Sequence, residues 1–434
     1  MEYRAASRSD PGERFASVAM TRVHLYDRRE RERMSRPAVD LLDESVLASP
    51  YQAFDQMRAS GSVHADPSLG LFFVIDHDAI REVLDDPEVY SSHLVAILQR
   101  GEAKVSLPDS VVPDGTDVLA IADPPAHSAH RKLVQPTFGK RKVQGLRETI
   151  DREVAGRVDA LVARRGGDWM SMVASPVPVR VISNILGLPD EDADRLVRWS
   201  DMGVELLGGL ADEDRLAVIY EAIAEFMVYI VDRIADTPTG LMVSVRDAVG
   251  AGQLTRDEAT SIVLQLVAAG TESTTSLLGS AVRILAADAD LQSGLRRDPA
   301  LIDNLIEETL RLESPFRGHF RVATRDTTLA GTPIPAGARL MLLWGAANRD
   351  PEQFDEPELL DLSRASLKGH LGFGRGIHFC VGAHLARLEA RIAIGCLLER
   401  TDGVELAPEH EDRYHPSLLI RRLEKVLISV TPKG

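Results

Sequence analysis

A chain of 434 residues, 44% of them hydrophobic, has enough apolar material for a large buried core. Its formal net charge of −16 argues against nucleic acid or an anionic membrane as partner, because surfaces that bind polyanions are normally basic. With only two cysteines, Cys380 and Cys396, no apolar run of the ~18 residues a membrane span needs and no secretory leader pattern, the expectation is a cytoplasmic protein with both thiols reduced and no disulfide scaffold.

Residues 1–40 read as a polar N-terminal tail, and the alternating charges of Arg28-Arg29-Glu30-Arg31-Glu32-Arg33 suit a solvated, disordered segment. Met20 and Met34 are alternative starts within it. Residues 41–434 show no internal repeat, linker or composition shift, and are expected to form one domain. Val63-His64-Ala65 and Leu71-Phe72-Phe73-Val74-Ile75 read as strands, followed by helical spacing from Ala79 to Leu84. From Ser91 to Val118 the pattern fails. Gly101, Pro108, Pro113 and Gly115 punctuate a long irregular stretch of the kind that is usually functional or disordered.

Helical periodicity then runs over Leu146–Val162, Pro176–Leu186, Asp190–Val204 and Arg215–Ile234. The longest helical stretch, Asp257–Ala287, is apolar on nearly every side from Ile262 to Ala269, as in a helix threaded through a core. Its apolar run is interrupted by Gly270-Thr271-Glu272-Ser273-Thr274-Thr275, residues that weaken a helix interior. A buried glutamate there is costly unless paired. Strand-like alternation returns between Thr324 and Leu343, broken by Gly331 and Gly337. A last helix is expected over Gly382–Glu399. The fold class is mainly α with small β-sheets.

Cys380 lies in Leu371-Gly-Phe373-Gly374-Arg-Gly376-Ile-His378-Phe-Cys380-Val-Gly382. Three alternating glycines suggest a phosphate loop, but a dinucleotide site needs a strand running into the turn, and Ser366–His370 is polar loop. A cysteine just before a helix meets unpaired N–H groups and positive potential, which favour the thiolate. Such a sulfur could ligate a metal. The plain alternative, a buried core thiol, remains open on these residues alone.

Phe373-x-x-Gly376-x-x-x-Cys380-x-Gly382 resembles the haem-binding signature of the cytochrome P450 family, and its surroundings resemble the bacterial members. That resemblance, over roughly residues 45–430, implies the cytochrome P450 fold and haem b (iron protoporphyrin IX), with Cys380 as the axial ligand of the iron. Phe373 and Gly374 then flank the sulfur, His378 approaches a propionate, and Cys396 is ordinary core. Asp123-Pro-Pro-Ala-His127-Ser-Ala-His130-Arg131 resembles the family's propionate-binding helix, with His127 and Arg131 on one face. His319 and Arg321, alternating along an extended stretch, are implied as further haem contacts. Glu308-x-x-Arg311 resembles the family's buried ion pair, which Arg364 would join.

Ala269-Gly270-Thr271-Glu272-Ser273 looks like the family's oxygen-activating motif, with Ser273 where threonine is usual and Thr274 able to share its task. Splitting O2 needs protons, which an acid and hydroxyl groups deliver, while a cysteine ligand pushes electron density toward O–O cleavage. The resemblance implies a monooxygenase that inserts one oxygen atom from O2 into a hydrophobic small molecule, by hydroxylation or epoxidation. A separate ferredoxin and ferredoxin reductase would supply the electrons. The pocket would be lined by the loop from Leu94 to Val118, the Leu206–Ile219 region, Val267, Ala268, Thr271, Phe316, Arg317, Leu418 and Leu419. Arg317 is a candidate for a substrate carboxylate. The rivals are a haem-thiolate enzyme of another reaction type and a haem-based sensor or binding protein, neither of which needs Glu272-Ser273.

Overall fold

The structure is a computed structural model and describes residues 39–67, 69–93, 99–100, 105–106, 116–208 and 211–434. The expected tail and most of the Leu94–Val118 loop lie outside the described residues. Helices dominate: α1 (Ala126–Phe138), α2 (Pro176–Leu186), α3 (Ala193–Gly208), α4 (Glu213–Asp236), α5 (Arg256–Ala286), α6 (Ile302–Leu312) and α7 (Ala383–Arg400) are those that build or brace the site. One apolar core runs along α2, α5, α6 and α7, from Val134 through Leu278 to Leu397.

The principal sheet has five strands, β1 (Val63–Asp66), β2 (Leu71–Val74), β3 (Tyr90–Ser91), β4 (Gly318–Ala323) and β5 (Arg339–Leu343), in the order β1-β2-β5-β4-β3. Only β5 and β2 run parallel, Leu340 facing Phe72. A three-stranded sheet joins Thr401–Leu406, Leu427–Pro432 and Gly166–Asp168. Its last strand comes from a glycine pair whose residues both have positive φ, a signal that hydrophobic periodicity does not carry.

The longest helix bears out its sequence expectation to within one residue at each end. The polar run in α5 does not break it; the helix is continuous from Arg256 to Ala286. Thr271 Oγ1 donates to Val267 O at 2.8 Å and Ser273 Oγ to Ala269 O at 2.7 Å, so these hydroxyls find partners inside the helix rather than competing with it. Gly270 faces Ile182 of α2, and a Cβ there would meet that side chain at 3.5 Å, an ordinary contact, so the packing itself does not demand glycine. A capping box starts α5: Thr255 Oγ1 accepts from Glu258 N at 3.1 Å, and Glu258 Oε2 accepts from Thr255 N at 2.7 Å.

Candidate active site

The cysteine loop folds back on itself ahead of α7. Cys380 N donates to Phe373 O at 2.9 Å, and Gly374 and Gly376 both adopt positive φ. At Gly376 a Cβ would lie 2.8 Å from Leu84 O, so a larger residue is excluded by both backbone and space. Burial pushes the Cys380 thiol up, against the amides of Gly382 and Ala383 and the charges of Arg131 and Arg387, which favour the thiolate. Among the described residues no group of three or more His, Cys, Asp or Glu side chains could hold a metal ion. A metal held by Cys380 would bring further ligands of its own, as the iron of a porphyrin does.

A second observation fits that group. His127, Arg131, His319 and Arg321 all act electrostatically on His378, whose pKa is driven down to about 3 by burial and then by these four neighbours. The rings of His127 and His378 lie 4.1 Å apart. Burial also lowers His319 to about 3 and Arg321 to about 10. Asp123, the acid that acts on Arg321 and His127, already accepts from Ser91 Oγ and, at 2.9 Å, from Ser92 N. Buried His127 Nε2 has no hydrogen-bond partner among the described residues. Burial thus keeps these histidines neutral, and the charged members of the cluster, Arg131 and buried Arg321, call for charge-assisted acceptors. The two propionates of a haem are acceptors of that kind.

Two ion pairs on α6 anchor the loop from beneath. Arg311 Nε donates to Glu308 Oε1 at 2.7 Å and Nη2 to Oε2 at 2.9 Å, while Arg364 Nε donates to Oε1 at 3.2 Å. Glu308 and Arg311 are fully buried. Asp361 N also donates to Glu308, at 2.9 Å, and Arg311 donates to the carbonyls of Asn348, Pro357 and Leu359.

Sequence reasoning missed the adjacent pair. Arg387 on α7 forks onto Glu307 at 2.6 and 2.8 Å, and His370 Nε2 lies 3.1 Å from the same carboxylate. Arg387 also covers the Phe373 ring at 4.4 Å, so it clamps the loop to α6. The signal available was the second glutamate in Glu307-Glu308, together with an arginine seven residues beyond Cys380.

On α5, Glu272 is buried, and Arg422 Nη1 donates to its Oε2 at 2.8 Å. Burial pushes this carboxyl up, with Arg422 acting against it. Ala268, Ala269 and Ser273 form an accessible strip on a helix otherwise largely buried. Thr274 is buried.

Several pocket expectations need correction. Val267 is fully buried in the core, and Thr271 turns to α3, its Oγ1 2.6 Å from Ser200 Oγ. Arg317 is buried and donates to Ile420 O at 3.2 Å and to Leu47 O, so backbone carbonyls occupy the guanidinium expected to meet a substrate. Phe316 packs against the apolar cluster that contains Leu418 and Leu419.

Comparison with known proteins decides the family. The family model described as Cytochrome P450 matches residues 234–421. "Cytochrome P450 144" of Mycobacterium tuberculosis is 40% identical over 415 residues, 93% of this chain and 94% of the relative. The chain belongs to the cytochrome P450 family. "Cytochrome P450 monooxygenase PikC" of Streptomyces venezuelae is 34% identical, covering 91% of this chain and 94% of its own. Among solved structures, the cytochrome P450 fold matches CYP109E1 from Bacillus megaterium in complex with testosterone, with a TM-score of 0.78, 28% identity and coverage of 89% and 99%. The protein is therefore a P450 monooxygenase, an oxidoreductase with a haem cofactor. Among its described residues no helix is long and apolar enough to cross a membrane.

Proposed function

We propose that this P450 inserts one oxygen atom from O2 into a hydrophobic small molecule, with electrons from a separate ferredoxin and ferredoxin reductase in the cytoplasm. Cys380, with His127, Arg131, His319, Arg321 and His378, would hold haem b, which would supply the oxygen-activating chemistry. The observation that carries the reading is the junction on α5, where the accessible strip Ala268-Ala269-Ser273 lies next to the buried acid Glu272. The small side chains leave room for an apolar substrate. Glu272 holds a proton at its carboxyl and passes it on through Ser273, whose Oγ is anchored on Ala269 O, with Thr274 beside it.

Two features support the finer statements. Phe316, half-buried against the buried Leu418 and Leu419, offers apolar surface, and CYP109E1, with the same fold, was solved with testosterone. In a chain of net charge −16, Lys132 on α1 and Lys140, Arg141 and Lys142 on the short helix Lys140–Gln144 that follows it are exposed, with no salt bridge to a carboxylate among the described residues. A basic patch of this kind suits an acidic electron donor.

The test has two arms. Cys380→Ala should abolish the thiolate-type spectrum of the reduced carbon monoxide complex, and an unchanged spectrum would remove the central claim. A ligand screen for the haem spin shift, followed by ferredoxin-supported NAD(P)H oxidation, should find compounds that raise turnover. Ligands that bind without ever raising it would point to a sensor instead.

A further inference from the structure

We infer that Arg422 and Asp201 are positioning residues for Glu272, one guanidinium divided between two carboxylates, so that α3 sets how firmly the acid on α5 holds its proton. The inference rests on the proposed proton-delivery role of Glu272 for its consequence, but not for its geometry. Arg422 Nη1 donates to Glu272 Oε2 at 2.8 Å and Nη2 to Asp201 Oδ1 at 3.0 Å. The arginine comes from the C-terminal loop, whose backbone is pinned by His415 N donating to Arg422 O at 2.9 Å. Three separate parts of the chain therefore meet on one cation.

The two carboxylates are not equivalent. The Glu272 side chain is 4% exposed and that of Asp201 45%. Water can stabilise the charge on Asp201, whereas Glu272 depends on Arg422 and on Ser276 Oγ, which donates to its Oε1 at 3.3 Å. An arginine shared with a solvated aspartate compensates the buried glutamate only in part. The balance agrees with the upward displacement of Glu272, caused by burial first, opposed by Arg422 and reinforced by Asp201.

The surrounding charged groups leave Arg422 as the cation hydrogen-bonded to Glu272. Glu205 on α3 is taken by Arg215, at 2.6 Å. His415 is held below its usual range by burial and then by Arg422, with Glu424, Asp201 and Glu205 acting against that.

A second contact fixes the register. Ser200 Oγ lies 2.6 Å from Thr271 Oγ1, so the residues preceding both acids are also joined. Consecutive positions of α3, Ser200 and Asp201, thus address consecutive positions of α5, Thr271 and Glu272. Loss of the Asp201 contact hands the arginine wholly to Glu272 and favours its ionised form. Loss of Arg422 leaves a buried carboxyl that keeps its proton.

The two substitutions therefore act in opposite directions, which a general loosening of the fold would not produce. In the haem-loaded full chain, infrared titration follows the protonated-carboxyl band that disappears in Glu272→Gln. Its midpoint should rise by about one pH unit or more in Arg422→Met, since an opposite charge within ~4–6 Å moves a carboxyl by about 1–3 units. It should fall in Asp201→Asn, a change at a half-exposed side chain that leaves folding intact. Shifts of the same sign, or no shift in Asp201→Asn, would overturn the inference. The alkaline limb of oxygen consumption should follow the same two displacements. Infrared shifts as expected combined with normal oxygen consumption in Glu272→Gln would retain the charge sharing and reject the delivery role instead.

Discussion

Helices α5 and α6 each bury glutamates, and they treat them in opposite ways. On α6, Glu308 receives two arginines and a backbone amide, and Glu307 receives an arginine and a histidine. Burial pushes both up, but these donors outweigh it: Glu308 is held below the usual carboxylate range and Glu307 falls to about 2. On α5, Glu272 has one arginine, shared with Asp201, and burial wins. The number of donors per buried carboxylate thus separates a fixed anchor from a group able to give up and regain a proton. A saturated ion pair costs too much to protonate. A half-compensated one sits between its two states, as proton transfer requires.

The anchor side should break most severely. Glu308→Ala leaves Arg311 and Arg364 buried without their carboxylate and is expected to cost about 3–5 kcal/mol, the usual penalty for halving a buried pair. Urea unfolding should read this as a lower midpoint, and haem incorporation should fall with it. A change of under ~1 kcal/mol would mean that the carbonyls around Arg311 suffice by themselves. On the other side, Glu272→Gln should leave the carbon monoxide spectrum intact and slow oxygen-dependent turnover by roughly 10²-fold or more, the scale of a lost general acid. Equal stability losses in the two variants would erase the distinction between the helices.

The legible parts of this molecule were those where one residue type at one spacing admits few physical solutions. Cys380 with its glycines, His127 and Arg131 on one face of α1, and the Glu308-Arg311 spacing are of that kind. So was the helical pattern of Pro176–Leu186, which the structure reproduces residue for residue. The partners that complete each site were harder to read because they come from distant chain. Arg422 lies 150 residues from Glu272 and Arg387 lies 80 from Glu307, and no periodicity links such positions. Direction was also illegible. Val267, Thr271 and Arg317 were expected to line the pocket, yet all three are buried, Thr271 against Ser200 and Arg317 on the carbonyls of Leu47 and Ile420.

The pH dependence of stability sharpens the contrast further, through one glutamate of each kind. Glu307 sits at about 2 in the folded chain against an ordinary value of 4.5. Its contribution is complete above about pH 4.5 and is lost as the pH falls toward 2. The wild type should therefore lose melting temperature over that acid range more steeply than Glu307→Gln, which has already forfeited the pair.

Glu389, on α7 nine residues beyond Cys380, provides the smallest and most discriminating effect. It is 1% exposed, its Oε2 has no partner among the described residues, and burial alone drives it up to about 8. Here the folded state binds the proton more tightly than the unfolded one. The stability of the neutral form is present below about pH 4.5 and drains away as the pH rises to 8. Glu389→Gln keeps the size and hydrogen-bonding capacity of that neutral form without the ionisation. Its melting temperature should match the wild type near pH 4.5 and exceed it by a few degrees at pH 8. A variant that instead melts lower at pH 8 would mean that Glu389 is ionised against a cation, and would move it from the uncompensated kind to the anchored kind represented by α6.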